Sequence, residues 1–238
     1  MTQEKQKVAL ITGASRGIGK AVALGMAELG YQVVLTARNL SDLERVATEA
    51  AAKGGLKPAV FEADITRESD VKQMMAQVLK RYKRIDVLVN NAGIHFGGSV
   101  ELPLQDFKTM LDTNLTAQLM LLQFVVPVMK EQQSGYIFNV ASRSGKVGFA
   151  GSGGYCATKF GLVGLNESLY RELTPLGIKV TALCPAWVHT GMAKQAGTPL
   201  EPEEMIQPHD LFQTIKWLLT LSPGACVKEV VITNPRSL

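Results

Sequence analysis

The sequence predicts a doubly wound α/β domain, a parallel sheet of about seven strands with helices on both faces, formed by residues 1–238 as a single unit. Three observations predict it. Short apolar runs such as Val8-Ala9-Leu10-Ile11 recur without polar alternation, as strands covered on both faces do. These runs alternate with longer stretches of helical spacing. A length of 238 residues, 46% of them apolar, supplies one sizeable core and falls short of two domains.

The elements follow in order. Val8 to Ile11 reads as a strand, then a glycine-rich turn, then a helix from Lys20 to Leu29 stopped by Gly30. Val33 to Leu35 is a second strand, and a helix opened by Ser41-Asp42 runs through alanines to Lys53-Gly54-Gly55, completing a βαβ unit. The alternation continues with strand Ala59 to Glu62, helix Glu68 to Tyr82, strand Val87 to Val89, a long helix Gln105 to Lys130 and strand Tyr136 to Val140. A helix starting near Tyr155 precedes strand Lys179 to Leu183. Then come a Gly/Pro/Glu-rich stretch to Pro208, helix Asp210 to Leu221 and strand Glu229 to Thr233. Gly161 and Gly164 inside the Tyr155 helix predict close approach of a neighbouring backbone, because each weakens a helix by about 1 kcal/mol against alanine. No repeat, low-complexity tract or linker divides the chain.

Composition excludes several function classes. The formal charge of +4 is mild, and the run Lys80-Arg81-Tyr82-Lys83-Arg84 falls where a helix ends and cations suit its dipole, so nucleic-acid binding is not expected. MTQEKQK lacks the apolar stretch of a signal peptide, and the greasiest run, Leu119 to Met129, is interrupted by Gln123 and Pro127. No membrane association is expected. Three cysteines, Cys156, Cys184 and Cys226, with no Cys-x-x-Cys spacing, point to a reducing, cytoplasmic setting. His95, His189 and His209 form no metal-ligand spacing, so no metal site is expected.

Chemistry-bearing residues concentrate in two places. Gly13, Gly17 and Gly19 lie in the turn after the first strand, together with Ser15, Arg16 and Ile18. A main chain without side chains there lets a pyrophosphate approach a helix N-terminus. At the end of the second strand Ala37-Arg38 offers no carboxylate for a ribose 2′-hydroxyl, whereas Arg38 and Arg16 suit a 2′-phosphate, so NADP(H) is expected rather than NAD. The second place is Ser142 to Lys159. Tyr155 and Lys159, four apart on a helix, share a face, so the ammonium is expected to favour the ionised phenol and make Tyr155 an acid/base candidate.

Taken together, the glycine turn from Thr12 to Gly19, the Asn-Asn-Ala-Gly of Asn90 to Gly93, Asn114, Ser142 and the Tyr155-Cys-Ala-Thr-Lys159 segment resemble the short-chain dehydrogenase/reductase family over nearly the whole chain. The resemblance implies a Rossmann-type fold and a hydride-transferring enzyme that interconverts ketone and alcohol with NADP(H). It implies Tyr155 as proton donor, Ser142 as hydrogen-bond donor to the substrate oxygen with Ser144 a competing candidate, Lys159 on the nicotinamide ribose, and Asn114 holding a water in a proton relay. Asp64 and Ile65 are implied at the adenine, although Asp64 could equally cap the next helix. Asn91, Ala92 and Gly93 would pass beneath the adenosine ribose, Pro185 would border the cofactor, and Val188 and Thr190 would meet the carboxamide. Ala186 departs from the family's usual Pro-Gly. The nearest likeness is to 3-oxoacyl-acyl-carrier-protein reductases, which implies a small carbonyl or alcohol substrate, with an acyl carrier protein as a candidate partner. Gln133, where such reductases often carry a basic residue, and the tail without their usual Thr-Gly and Asn-Gly-Gly weaken the carrier reading. The resemblance also implies a homodimer or homotetramer. Residues 186–208, with Trp187, Met192, Ala193, Leu200, Met205 and Ile206, are expected to form an apolar cover over the substrate.

Overall fold

In the computed structural model, which describes residues 6–237, seven parallel strands lie in the order β3-β2-β1-β4-β5-β6-β7. Most of the polar opening MTQEKQK falls on residues 1–5, outside the described residues. The strands are β1 (Val8–Thr12), β2 (Gln32–Ala37), β3 (Ala59–Glu62), β4 (Val87–Asn90), β5 (Gly135–Val140), β6 (Ile178–Pro185) and β7 (Glu229–Ile232). Every residue of β1 and β4 is buried, which is why neither run alternates in polarity.

Helices α1 (Gly17–Glu28), α2 (Leu40–Gly54) and α8 (Pro208–Thr220) cover one face, closing a core around Ile11, Val22, Met26, Leu43, Phe138 and Phe212. Helices α3 (Glu68–Tyr82), α5 (Ala117–Gln132) and α6 (Gly153–Leu173) cover the other, around Leu10, Met75, Leu88, Leu121 and Ile137. Two further helices are α4 (Leu104–Leu111) and the short α7 (Gly191–Gln195).

Two local features depart from expectation, and a third fills in what spacing left open. The single helix expected over 105–130 is divided: α4 and α5 are joined by a π-helical turn, Asp112–Thr116, with Asn114 buried inside it. The extra residue in that turn lets the Asn114 side chain face inward to hydrogen-bond other loops, the situation in which π-turns arise. At Gly161 an added Cβ would lie 2.9 Å from the Leu115 side chain, not from a backbone, and at Gly164 nothing lies within 4 Å, so neither glycine is required by a neighbouring main chain among the described residues. Thirdly, residues 186–208 are ordered by the chain itself. Ile206 N–H donates to Trp187 O at 3.0 Å, His189 N–H donates to Ile206 O at 2.8 Å, and the Asn234 amide donates to Trp187 O and Glu204 O while its oxygen accepts from Trp187 N–H.

A polar row crosses the buried centre of the sheet. The Asn90 amide donates to Asn139 Oδ1 at 3.1 Å, Asn139 to Asn166 Oδ1 at 3.0 Å, and Asn166 to the Lys228 carbonyl at 3.1 Å, tying β4, β5 and α6 to the approach of β7. Each of the three asparagines is at most 1% exposed.

Packing of α2 on α1 yields a test. A Cβ on Gly54 would sit 2.1 Å from the Ala27 carbonyl oxygen, so Gly54→Ala must push two helices apart even though alanine is the better helix former. Urea unfolding is expected to show a loss of about 1–3 kcal/mol; a neutral or stabilising result would mean that α2 sits further from α1.

Candidate active site

The strand order reverses direction between β1 and β4, and the loops leaving their carboxyl ends must diverge to opposite faces. Thr12 and Asn91 hold that point. Thr12 Oγ1 accepts from the N–H groups of Asn91 and Ala92, both at 3.0 Å, and the Asn91 amide donates to Thr12 O at 2.9 Å and Gly13 O at 3.2 Å. The crevice so opened is one cavity of about 1740 Å³ that runs past the ends of β1 to β6.

Its first half is a cradle of bare main chain. Gly13 and Gly17 adopt positive φ of 62° and 54°, and a Cβ on Gly19 would meet the Gly13 carbonyl oxygen at 2.2 Å. These glycines bring the turn against the start of α1, whose first N–H groups have no side-chain cap from Arg16. Donors left open at a helix N-terminus and backed by glycine fit a pyrophosphate. Ser15, Arg16 and Ile18 line the same wall. Arg16 and Arg38 are exposed there, and among the described residues neither forms an ion pair, whereas Lys20 is engaged by Glu49 at 2.8 Å. Asp64 and Ile65 lie at the same end. Burial alone would raise the Asp64 carboxyl, but hydrogen bonds from the Thr66 hydroxyl and N–H and the charges of Arg38 and Arg67 outweigh it and hold the group below the usual carboxylate range. The cradle therefore fits a dinucleotide, with the free arginines where a further phosphate would lie.

In the second half, β5 delivers Ser142 into a 3₁₀ turn, Arg143–Gly145, and α6 delivers Tyr155 and Lys159. Ser142 Oγ accepts from Ser144 N–H at 3.1 Å, and its side chain acts through hydrogen bonding to lower the Tyr155 phenol. Ser144 exerts no such influence on Tyr155, which favours Ser142 of the two. Lys159 Nζ donates to the Val140 carbonyl at 3.0 Å and lies 5.7 Å from the Tyr155 ring centroid. Both side chains are buried, and burial dominates their titration: it pushes the phenol up to about 12, the Ser142 hydrogen bond acting against it, and the ammonium down to about 8. The expected lowering of Tyr155 by Lys159 is thus not found: burial is the largest influence on each group, and Lys159 is not among the groups that shift the phenol.

Asn114 stands behind the pair. Its Oδ1 accepts from Ile94 N–H at 2.8 Å, and its amide donates to Ile94 O at 2.9 Å and Thr158 Oγ1 at 3.1 Å. Gly93 is confined between Asn114 and Lys159, since a Cβ there would lie 3.2 Å from Asn114 Oδ1 and 3.6 Å from Lys159 Nζ. Pro185 and Val188 reach the cavity from the end of β6, and Val188 pairs with Ile206. Thr190 caps α7, and its methyl lies 3.2 Å from where a Gly17 Cβ would be. Trp187, Met192, Ala193, Leu200 and Met205 line the far wall, but Ile206, expected in that cover, does not line the cavity; it is 7% exposed and belongs to the core packing beneath it. The residues missed from sequence were Thr158 and His95. The His95 ring meets Tyr155 edge-on at 4.8 Å between centroids, and its place two residues after Gly93 was the available signal. Among the described residues no metal-binding cluster occurs and no helix is long and apolar enough to cross a membrane.

Comparison with known proteins agrees with this arrangement. The family model for short chain dehydrogenases matches residues 7–201. The chain is 36% identical over 231 residues to a 3-oxoacyl-[acyl-carrier-protein] reductase of Synechocystis sp., covering 92% of each chain. Its fold matches the crystal structure of a β-ketoacyl-[ACP] reductase from Bacteroides thetaiotaomicron with a TM-score of 0.87 and 45% identity, over 98% of this chain and 99% of that one. An alcohol dehydrogenase from Thermococcus sibiricus, complexed with 5-hydroxy-NADP, matches with a TM-score of 0.90 and 28% identity over 98% of both chains.

Burial of Lys159 sets up a test that needs no turnover. Over the range from about 8 to the ordinary lysine value of 10.5, the unfolded chain holds a proton that the folded chain has released, so the burden on stability is complete below pH 8 and fades as pH rises through 10.5. Without added nucleotide, Lys159→Met is expected to resist urea better than wild type at pH 7 by about 1–3 kcal/mol, the lost Val140 hydrogen bond offsetting part of the gain. The advantage should shrink by pH 10. A variant less stable than wild type at pH 7 would show that Lys159 is not under strain from burial.

Proposed function

This chain belongs to the short-chain dehydrogenase family of oxidoreductases, and from that premise we propose that it is an NADPH-dependent carbonyl reductase. The observation that carries the proposal is the buried Tyr155, flanked by Ser142 in the cavity wall and sharing a helix face with Lys159, at the end of a cavity whose other end is a phosphate cradle. The dinucleotide, when bound, supplies the hydride to the carbonyl carbon. Ser142 and Tyr155 hold the carbonyl oxygen between two hydroxyl groups. A phenol pushed up to about 12 remains protonated at neutral pH, which is the state a reductase needs at the start of its cycle. The alkoxide formed is far more basic than a phenolate, so the proton moves downhill from Tyr155 Oη to the substrate oxygen. Lys159, pushed down to about 8, exchanges its proton readily near neutral pH and is the nearest source for restoring the phenol. Asn114 has its side-chain amide committed to Ile94 and Thr158, so its part in a proton relay falls to its main chain in the π-turn.

Relatives named as 3-oxoacyl-[acyl-carrier-protein] reductases point to a 3-oxoacyl thioester, and so to a ketone with a second oxygen function two carbons away, as the substrate class. Another hydroxy acid or a sugar-derived ketone is the alternative. Delivery by a carrier protein is less well supported, because Arg171, one of the cations that would attract it, is engaged by Glu167 at 2.9 Å, while Lys194 stays exposed at the cavity mouth. Leu119 on α5 and Phe160 on α6, 41% and 46% exposed, suit contact with a second copy of the chain.

Two measurements test the reading. Fluorescence titration should show NADPH binding more tightly than NADH, with the gap shrinking in Arg38→Asp; equal affinities would mean that the arginines do not reach the cofactor. Tyr155→Phe should bind NADPH almost as wild type does while turnover falls by about 10² to 10⁴. Retention of more than about a tenth of the activity would remove Tyr155 from the acid role.

A further inference from the structure

The substrate end of the cavity contains two groups that the proton-transfer machinery leaves unused. Arg143 follows Ser142 directly, lines the cavity, and rests its guanidinium 5.3 Å from the Phe149 ring centroid. Among the described residues it has no ion-pair partner. Among the described residues, the only acidic ones lining the cavity are Asp42, in the first turn of α2, and Asp64, just after β3. The strands leading into them, β2 and β3, stand three and four positions from β5, about 14–19 Å away at the usual strand spacing. Both are also occupied, Asp42 by Arg45 at 2.8 Å and Asp64 by the Thr66 hydroxyl at 2.7 Å.

His95, on the loop after β4, lines the same cavity. It is half-buried against Tyr155, and among the described residues neither ring nitrogen has a hydrogen-bond partner within the chain. Burial holds it below the ordinary histidine value, so at neutral pH it is an uncharged donor. The two loops are joined into one rim: Gly98 N–H donates to Gly151 O at 2.6 Å, Gly153 N–H to Ser99 Oγ at 3.0 Å and Gly154 N–H to Gly98 O at 3.3 Å. Across the rim stand the apolar side chains of Trp187, Met192, Leu200 and Met205. An uncompensated guanidinium, held by an aromatic ring one residue from the oxygen-binding serine, is suited to bidentate capture of a carboxylate.

We propose that the second oxygen function of the substrate is a free carboxylate, that the preferred substrates are short 3-oxo acids, and that Arg143, aided by His95, selects them. This rests on the carbonyl-reductase reading, keeps its ketone with a second oxygen function two carbons away, and puts the free acid in place of the thioester that the relatives' names suggest. The carboxylate takes no part in the bond changes: NADPH gives hydride to the ketone carbon, Tyr155 gives the proton to its oxygen, and a 3-hydroxy acid and NADP⁺ leave.

The experiment compares acetoacetate with methyl acetoacetate and with a small acetoacetyl thioester. All three present the same ketone, and only the first carries the anion. Wild type is expected to show kcat/KM for the acid at least about tenfold above that for either neutral compound, since a charged hydrogen-bonded pair is involved. In Arg143→Gln the acid-to-ester ratio should fall by about tenfold or more, mainly through KM, and Arg143→Lys should recover part of it. Because the ratio is taken within each variant, partial unfolding does not distort it. A wild type that handles the ester or thioester as well as the acid, or a ratio unchanged in Arg143→Gln, overturns the proposal. Calorimetry of 3-hydroxybutyrate and its methyl ester with the NADP⁺-saturated protein separates this failure from that of the broader reading. If no ketone in the panel is reduced, the reductase reading fails, while selective binding of the acid that disappears in Arg143→Gln still supports the carboxylate site and equal binding of acid and ester overturns it.

Discussion

The site depends on the clasp between Thr12 and Asn91. One hydroxyl accepts two main-chain N–H groups from the β4 loop, and one amide returns two hydrogen bonds to the end of β1. These groups are partly buried, where an unmade hydrogen bond is expensive, so the clasp fixes the height at which the two loops part. The glycine turn must then fit under Asn91 and Ala92, which is why a Cβ on Gly13 would lie 3.0 Å from both the Ala92 Cα and the Asn91 amide nitrogen. Cradle and catalytic wall are thus two sides of one junction.

What could be read from the sequence was what local spacing encodes. Unalternating apolar runs gave the strands, with β3 and α3 found at their full extent. Tyr155 and Lys159 four apart placed both on one side of α6, and the glycines after β1 identified the cradle. Features set by partners distant in sequence were not legible. The π-turn exists because Asn114 bonds Ile94 and Thr158, 20 and 44 residues away, and nothing in a greasy helical run announces that. The order within residues 186–208 comes from Asn234, near the other end of the chain, and from the pairing of Val188 with Ile206.

The titration of Tyr155 shows the same limit in energetic terms. Helical spacing correctly brings an ammonium beside a phenol, but it carries no information about how much water each has lost. In the folded chain desolvation is the larger effect for both: it keeps the phenol protonated and makes the ammonium easier to deprotonate. Arg143 is the contrasting case: partly exposed and resting on Phe149, it stays open to what enters the cavity.

The asparagine row has a direction. Asn90 donates to Asn139, Asn139 to Asn166, and Asn166 to the Lys228 carbonyl, which also accepts from Ala182 N–H at 3.0 Å and cannot return a donor. A backbone oxygen at one end therefore dictates the orientation of every amide back to β4, leaving Asn90 Oδ1 as an acceptor without a partner among the described residues. Asn139 and Asn166 must each both give and receive at a fixed reach, whereas Asn90 only gives. At those two positions aspartate would present an acceptor and a buried charge where a donor is required, serine would fall short, and glutamine would overshoot by a methylene. The alphabet available at Asn139 and Asn166 is a single letter, for reasons of polarity and length that have nothing to do with hydride transfer.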